Sequence, residues 1–191
     1  MPPRILLIGA GGFIGGNLLK SLSSKIELIP VFYSHIPSEF KQNALKIDVT
    51  DLTQLGKIIQ KTKPQILINL TCINREESEK NPLKAYHINV KGAVNCALVA
   101  QQYKLRFIHF STDMVYKGDK KKGLYTLFDL PQPINFYGRT KLIAENKIKN
   151  IAQNYVILRT GLVLGIKQFW RGGFVDWMLK RIKDQKSLPL Y

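Results

Sequence analysis

The sequence predicts an α/β chain built on a doubly wound parallel sheet, and three observations carry that prediction. A continuous apolar run, Ile5-Leu-Leu-Ile8, opens the chain and stops at Gly9, as a strand buried on both faces does. Glycines 9, 12 and 15 then follow in GxxGxxG spacing and lead into an amphipathic segment. Beyond them, strand-like and helix-like patterns alternate to the end of the chain, the order that right-handed crossovers of a parallel sheet require.

Each element has its own local reason. Gly9 permits a tight turn out of the first strand, Gly12 lets backbone approach a pyrophosphate, and Gly15 lets the helix pack closely on the strand. The helix N-terminus supplies unpaired N–H groups and a positive dipole end, so Phe13 and Ile14 join the glycines as candidate cofactor-binding residues. Residues 26–32 read as the second strand, with Tyr33, Ser34 and His35 at its C-terminal end. In a dinucleotide fold an acid about 20 residues past the glycines would bond the ribose 2′-hydroxyl of NAD. Here Glu27 lies at the wrong end of the strand and Glu39 comes too late. Ser34 and His35 suit a 2′-phosphate instead, so NADP(H) is preferred and NAD(H) stays open.

Residues 44–47 form a short third strand ending at Asp48, Asp51 caps a helix over 52–61, and Pro64 breaks it. A fourth strand at 65–70 closes on Asn69-Leu70-Thr71, a place for a crossing loop over a nicotinamide. Pro82 opens a long helix to about residue 103, in which Asn89 reads as a buried hydrogen-bonding residue. A fifth strand at 106–110 delivers Ser111-Thr112-Asp113 to the C-terminal edge of the sheet, where open α/β sheets bind ligands. After a loop rich in Lys, Gly and Pro come a helix at 135–148, a sixth strand at 156–159 and a last helix at 173–183.

A length of 191 residues suits one domain. No run of about 20 apolar residues exists and the opening is too short for a signal peptide, so the chain is expected to be soluble and cytoplasmic, with no membrane partner. Cys72 and Cys96 lie in apolar surroundings without metal-ligand spacing and read as reduced core thiols; no metal site is expected. The net charge of +16 arises from 29 basic and 13 acidic residues. The lysines are dispersed, with Lys120, Lys121 and Lys122 the only run of three, and no nucleic-acid-binding motif stands beside it. The reading is a solvated basic surface that attracts anionic ligands, with no specific nucleic-acid partner.

The chemistry concentrates at Tyr137 and Lys141, four apart on a predicted helix and therefore on one face. A free tyrosine has a pKa of about 10, and a neighbouring ammonium favours the phenolate, bringing the group toward acid/base work near neutral pH. Lys141 also suits a hydrogen bond to the nicotinamide ribose. The pair comes one strand and one loop after Ser111-Thr112-Asp113, the order a hydride-transfer site on this fold needs.

With these residues in view, the chain resembles the extended short-chain dehydrogenase/reductase superfamily and, within it, the dTDP-4-dehydrorhamnose reductase family. The resemblance is carried by Gly9-Ala-Gly-Gly-Phe-Ile-Gly15, Asp48-Val-Thr-Asp51, Pro64-Gln-Ile-Leu-Ile-Asn69, Asn89-Val-Lys-Gly-Ala-Val-Asn95, Ser111-Thr-Asp-Met-Val-Tyr116 and Pro133-Ile-Asn-Phe-Tyr-Gly-Arg-Thr-Lys141. It implies a Rossmann-type NAD(P)-binding fold and a triad in which Thr112 bonds the substrate oxygen, Tyr137 donates the proton, and Lys141 lowers the tyrosine pKa while holding the ribose. It implies cofactor contacts at Asp48, Val49, Asn69, Leu70 and Thr71, and substrate contacts at Thr112, Asp113, Met114 and Tyr137. The implied reaction is NADPH-dependent reduction of the 4-keto group of a nucleotide-linked deoxysugar, with a homodimer left open. Met114 stands where sugar-nucleotide dehydratases resemble Thr-Asp-Glu, which speaks against elimination chemistry, and epimerases usually carry serines there. Leu70-Thr71-Cys72 is bulkier than the family's small turn, and Leu127 replaces a usual glutamate, so an altered cofactor pocket is expected. The resemblance places most of the sugar-nucleotide domain beyond Tyr191, so residues 1–191 read as the NAD(P)-binding domain with that further domain truncated. The alternatives are a non-catalytic NADP-binding partner protein, because the regulatory subunit of methionine adenosyltransferase resembles the same family, and a sugar-nucleotide epimerase.

Overall fold

The computed structural model describes residues 2–22, 26–42, 44–120, 124–169 and 172–188, so Lys121 and Lys122 of the basic run lie outside the described residues. Strands β1 (Arg4–Ile8), β2 (Glu27–Phe32), β3 (Leu45–Lys46), β4 (Ile66–Asn69), β5 (Arg106–Thr112) and β6 (Tyr155–Thr160) form one sheet in the order β3-β2-β1-β4-β5-β6. Every pairing is parallel. Helices α1 (Phe13–Leu22), α2 (Leu52–Thr62), α3 (Arg75–Lys80), α4 (Pro82–Ala85), α5 (Ala93–Gln102), α6 (Phe136–Ile151) and α7 (Phe174–Lys183) connect and cover it. This is the doubly wound Rossmann-type sheet expected from the alternation.

The unbroken apolar runs are explained by burial on both faces. Leu6 and Ile8 of β1 pack with Val31, Leu67 and Phe107 against Leu55 and Ile59 of α2, Ala97 of α5 and Ile148 of α6. Their neighbours Ile5 and Leu7 point the other way, joining Phe32 and Ile68 against Leu19 of α1. The strand order reverses between β1 and β4, so a crevice opens beyond their C-terminal ends.

Caps behave as the sequence predicts at α2, where Asp51 Oδ1 accepts the Gln54 N–H at 3.0 Å. Asn135 caps α6 by accepting the Gly138 N–H at 2.7 Å, and the helix runs on to Ile151. Three differences are informative. Helix α3 is absent from the sequence reading because Arg-Glu-Glu-Ser-Glu-Lys has no apolar stripe; Asn74 starts it by accepting the Glu77 N–H. The expected single helix from Pro82 is interrupted by π-helical turns over Tyr86–Gly92, and Asn89 sits there fully buried. Strand β5 extends through Ser111 and Thr112 because those residues pair with Arg159 and Thr160 of β6. Among the described residues, no helix is long and apolar enough to cross a membrane.

Candidate active site

The glycine turn leaves β1 at the point where the strand order reverses. Gly9 has a φ of 85°, where a side chain is strained, and its N–H and that of Ala10 both donate to the Val31 carbonyl. A Cβ on Gly15 would stand 2.5 Å from the Gly9 carbonyl oxygen and 2.7 Å from Ala10 Cα, so the third glycine is demanded by close helix–strand contact. The first turn of α1 contains no acid, leaving its N-terminus suited to an anion.

A cleft of about 1360 Å3 opens from this turn. Gly9, Gly12, Phe13, Ile14 and Gly15 line it, together with Ser34 and His35 after β2, Asp48 and Val49 after β3, and Leu70 and Thr71 after β4. The structure thus brings most of the sequence-predicted cofactor residues to one wall. Ser34 Oγ and His35 Nδ1 lie 2.8 Å apart at an exposed end of that wall. Asp48 Oδ1 accepts from the Thr50 N–H at 2.9 Å and the Thr50 hydroxyl at 2.7 Å, so its carboxylate shapes the turn. The Thr71 hydroxyl is buried without a hydrogen-bond partner among the described residues.

Asn69 differs from its neighbours. Its side chain is buried behind the wall, where Oδ1 accepts the Thr71 N–H at 3.0 Å and Nδ2 lies 3.3 Å from His109 Nδ1. It shapes the loop that carries Leu70 and Thr71. Asn89 also braces: Oδ1 accepts the Ile73 N–H, while Nδ2 donates to the Ile73 carbonyl and to the Thr140 hydroxyl. Sequence reasoning passed over Thr50, His87 and Phe174, which line the cleft together with Cys72. Cys72 is the correction that matters most, because it is a half-buried wall residue and not a core thiol. Cys96 is the core thiol expected, and burial pushes its pKa up. No local pattern separates the two cysteines.

Thr112, at the end of β5, donates from Oγ1 to Asp113 Oδ1 at 3.1 Å and accepts the Met114 N–H at 3.2 Å. Asp113 is exposed and Met114 half-buried. Tyr137 and Lys141 project from one face of α6 as their spacing requires, with the Thr112 hydroxyl and the Cys72 thiol beside the phenol. Burial raises the Tyr137 pKa, Cys72 and Asp113 add to that, and Thr112 opposes it. Lys141 is buried; its Nζ donates to the Phe110 carbonyl at 2.5 Å and lies 3.3 Å from His109 Nε2. Burial lowers the Lys141 pKa against the pull of Cys72 and Glu145. Burial thus outweighs what lowers the Tyr137 pKa in this structure, and Lys141 is engaged by the sheet.

Behind this cluster, Glu145 is fully buried and receives three groups. Ser111 Oγ donates to it at 2.5 Å, and Arg159 clasps both oxygens from Nε and one terminal nitrogen. The other terminal nitrogen of Arg159 donates to the Tyr116 hydroxyl at 2.6 Å, which in turn donates to the Thr126 carbonyl.

The chain is similar in sequence and fold to known proteins. The dTDP-4-dehydrorhamnose reductase of Aggregatibacter actinomycetemcomitans is 29% identical over 188 residues, covering 97% of this chain and 59% of that protein. A probable low-salt glycan biosynthesis reductase of Haloferax volcanii is 26% identical over 186 residues, covering 96% and 62%. This chain thus spans about three fifths of the length of these relatives. Among solved structures, dTDP-4-dehydrorhamnose reductase from Bacillus anthracis in complex with NADP aligns with a TM-score of 0.81 at 29% identity, covering 96% of this chain and 61% of that one. A hypothetical dTDP-4-dehydrorhamnose reductase from Sulfolobus tokodaii aligns with a TM-score of 0.82 at 31% identity, covering 97% and 63%. The model of the RmlD substrate binding domain family matches residues 3–191, and the chain belongs to that family, within the extended short-chain dehydrogenase/reductases.

Proposed function

We propose that residues 1–191 form one NAD(P)-binding domain and that it carries the reaction centre of an NADPH-dependent reductase of a nucleotide-linked 4-keto-deoxysugar. The observation that carries this reading is that the glycine-walled cleft and the Thr112–Tyr137 pair meet at one residue, Cys72. The residues suit NADP(H). The Gly9–Gly15 turn leaves space that side chains would fill, Ser34 and His35 replace the usual ribose-binding acid, and the Thr71 hydroxyl has a hydrogen bond to offer. NAD(H) is the alternative cofactor. When bound, the cofactor supplies the hydride.

The rest follows from this chain's own side chains. The Thr112 hydroxyl orients the keto oxygen, Asp113 and Met114 border the substrate, and the protonated Tyr137 donates its phenolic proton to that oxygen. Lys141, held by the Phe110 carbonyl, fixes the ribose. The reductase names of the relatives support the substrate class.

The test begins with calorimetric titration of NADPH and NADH; NADPH should bind more tightly, and changing Ser34 and His35 to Ala should remove that preference. NADPH oxidation with a dTDP-4-keto-6-deoxysugar then reads the chemistry. Tyr137→Phe should lower turnover by about 10²–10⁴-fold with unchanged NADPH affinity. Equal turnover in that variant overturns the assignment. Cofactor binding with no turnover of any 4-keto sugar nucleotide favours the non-catalytic partner-protein reading.

A further inference from the structure

The chain returns to the glycine turn from far away in sequence. Leu162, Val163, Gly172, Gly173 and Phe174 line the same cleft as Gly9, Gly12 and Gly15. Residues 162–169 cross helix α1: Asn17 Nδ2 donates to the Ile166 carbonyl at 3.2 Å, and Gln168 Nε2 donates to Asn17 Oδ1 at 3.2 Å. Phe169 approaches the helix so closely that a Cβ on Gly16 would stand 2.8 Å from its ring. Phe13, the first residue of α1, is the other point of contact. A Cβ on Gly173 would stand 2.6 Å from Phe13 Cζ, and one on Gly165 would stand 3.5 Å from the same atom. Carbon atoms in contact settle at about 3.5–4.0 Å, so residue 173 can sit on the Phe13 ring only as glycine.

One carboxylate fastens both stretches. Asp176, in the first turn of α7, accepts the Gly173 N–H through Oδ2 at 2.8 Å and the Lys167 N–H through Oδ1 and Oδ2 at 3.2 and 3.0 Å. The bond to Gly173 is the reach-back half of a capping box, which starts the helix locally. The bond to Lys167 is not required by the helix; it draws the stretch that crosses α1 toward the residue seated on Phe13. Both bonds, that of Gly173 foremost, hold the Asp176 carboxyl below its usual range.

We propose that Asp176 is a positioning residue for the cofactor: by tying Lys167 to Gly173 it holds residues 162–169 and 172–174 against α1 as one wall of the cleft. Asp176 lies off the cleft lining, so it acts through that wall. A wall fixed before binding lowers the ordering cost that the cofactor must meet and slows its escape. The proposal rests on the NAD(P)-binding part of the proposed function and not on the ketone chemistry.

The test is NADPH binding to the 191-residue chain, with calorimetry for affinity and number of sites and stopped-flow fluorescence for rates. Asp176→Ala cuts both ties and should weaken NADPH binding about tenfold, the scale of one hydrogen bond to a charged group, through faster dissociation and with the number of sites unchanged. Asp176→Asn, whose side-chain carbonyl still accepts an N–H, should recover part of that loss. Gly173→Ala leaves the carboxylate in place and pushes the wall off Phe13, so it should raise the dissociation rate as well. A merely structural role lowers the melting temperature or the number of competent sites and leaves the dissociation rate of the remaining sites unchanged. That result, or unaltered affinity in both Asp176→Ala and Gly173→Ala, overturns the proposal. Faster dissociation in these variants with no turnover of any 4-keto sugar nucleotide would instead remove the reductase reading alone. If the unaltered chain binds neither NADPH nor NADH, both fall.

Discussion

The two halves of the sheet build their parts of the site by opposite means. On the β1–β3 side the cleft is made of backbone. Gly9 turns out of the strand, Gly15 lets the helix close down, and the α1 N-terminus faces the opening without an acidic side chain. On the β4–β6 side the site rests on buried polar side chains, with Asn69, His109 and Lys141 in one chain and Ser111, Glu145 and Arg159 in another. The first design works by removing atoms, so that peptide N–H groups and space remain. The second places charged and polar groups where each must be satisfied by a partner from a distant segment.

That contrast can be broken most severely at Glu145. Glu145→Ala leaves the Arg159 guanidinium without its carboxylate in a largely buried position, and a loss on the order of 3 kcal/mol in denaturant unfolding is expected. A loss below about 1 kcal/mol would mean that water replaces the pair and that the β4–β6 side is less dependent on it. Gly15→Ala probes the other half. The new Cβ meets backbone and not a flexible side chain, so a cost of about 1–3 kcal/mol and weakened NADPH binding should appear together. Unchanged binding would show that α1 can shift without harm to the cleft.

The buried polar half also carries a pH signature. His109 has its pKa held well below 6.5, first by burial and then by Lys141. Below pH 6.5 the unfolded chain therefore binds a proton that the folded chain refuses, and stability falls with acidification at up to about 1.4 kcal/mol per pH unit. His109→Leu should flatten this limb in thermal melts between pH 6.5 and 5, and an unchanged slope would place the effect elsewhere. The smallest effect expected is at Asp51, where Asp51→Ala removes the α2 cap at a cost of about 1 kcal/mol in the same melts.

The unequal legibility of the two halves has the same origin. Glycine spacing is a local requirement of one turn, so residues 9, 12 and 15 announce the cleft in the sequence, and Tyr137 and Lys141 share a face because helix geometry alone decides it. The partners of the second half are not local: Asn69 meets His109 from 40 residues away, and His109 meets Lys141 from 32. Helix α3 escaped because a six-residue polar segment has no periodicity to read, and the π turns at Tyr86–Gly92 escaped because 3.6-residue periodicity extends smoothly across them. Cys72 and Cys96 look alike in sequence, yet only one reaches the cleft wall.

By itself the sequence determined the parallel sheet, the anion-ready turn after β1, the Asp51 cap and the face shared by Tyr137 and Lys141, because strand burial, glycine geometry and helical pitch act over a few residues. Only the tertiary structure decided what Lys141 touches, which cysteine stands beside Tyr137, and in which direction burial moves the phenol's pKa. Charge states of buried groups depend on desolvation and on neighbours brought together from separate strands, and neither is encoded in any single stretch of chain.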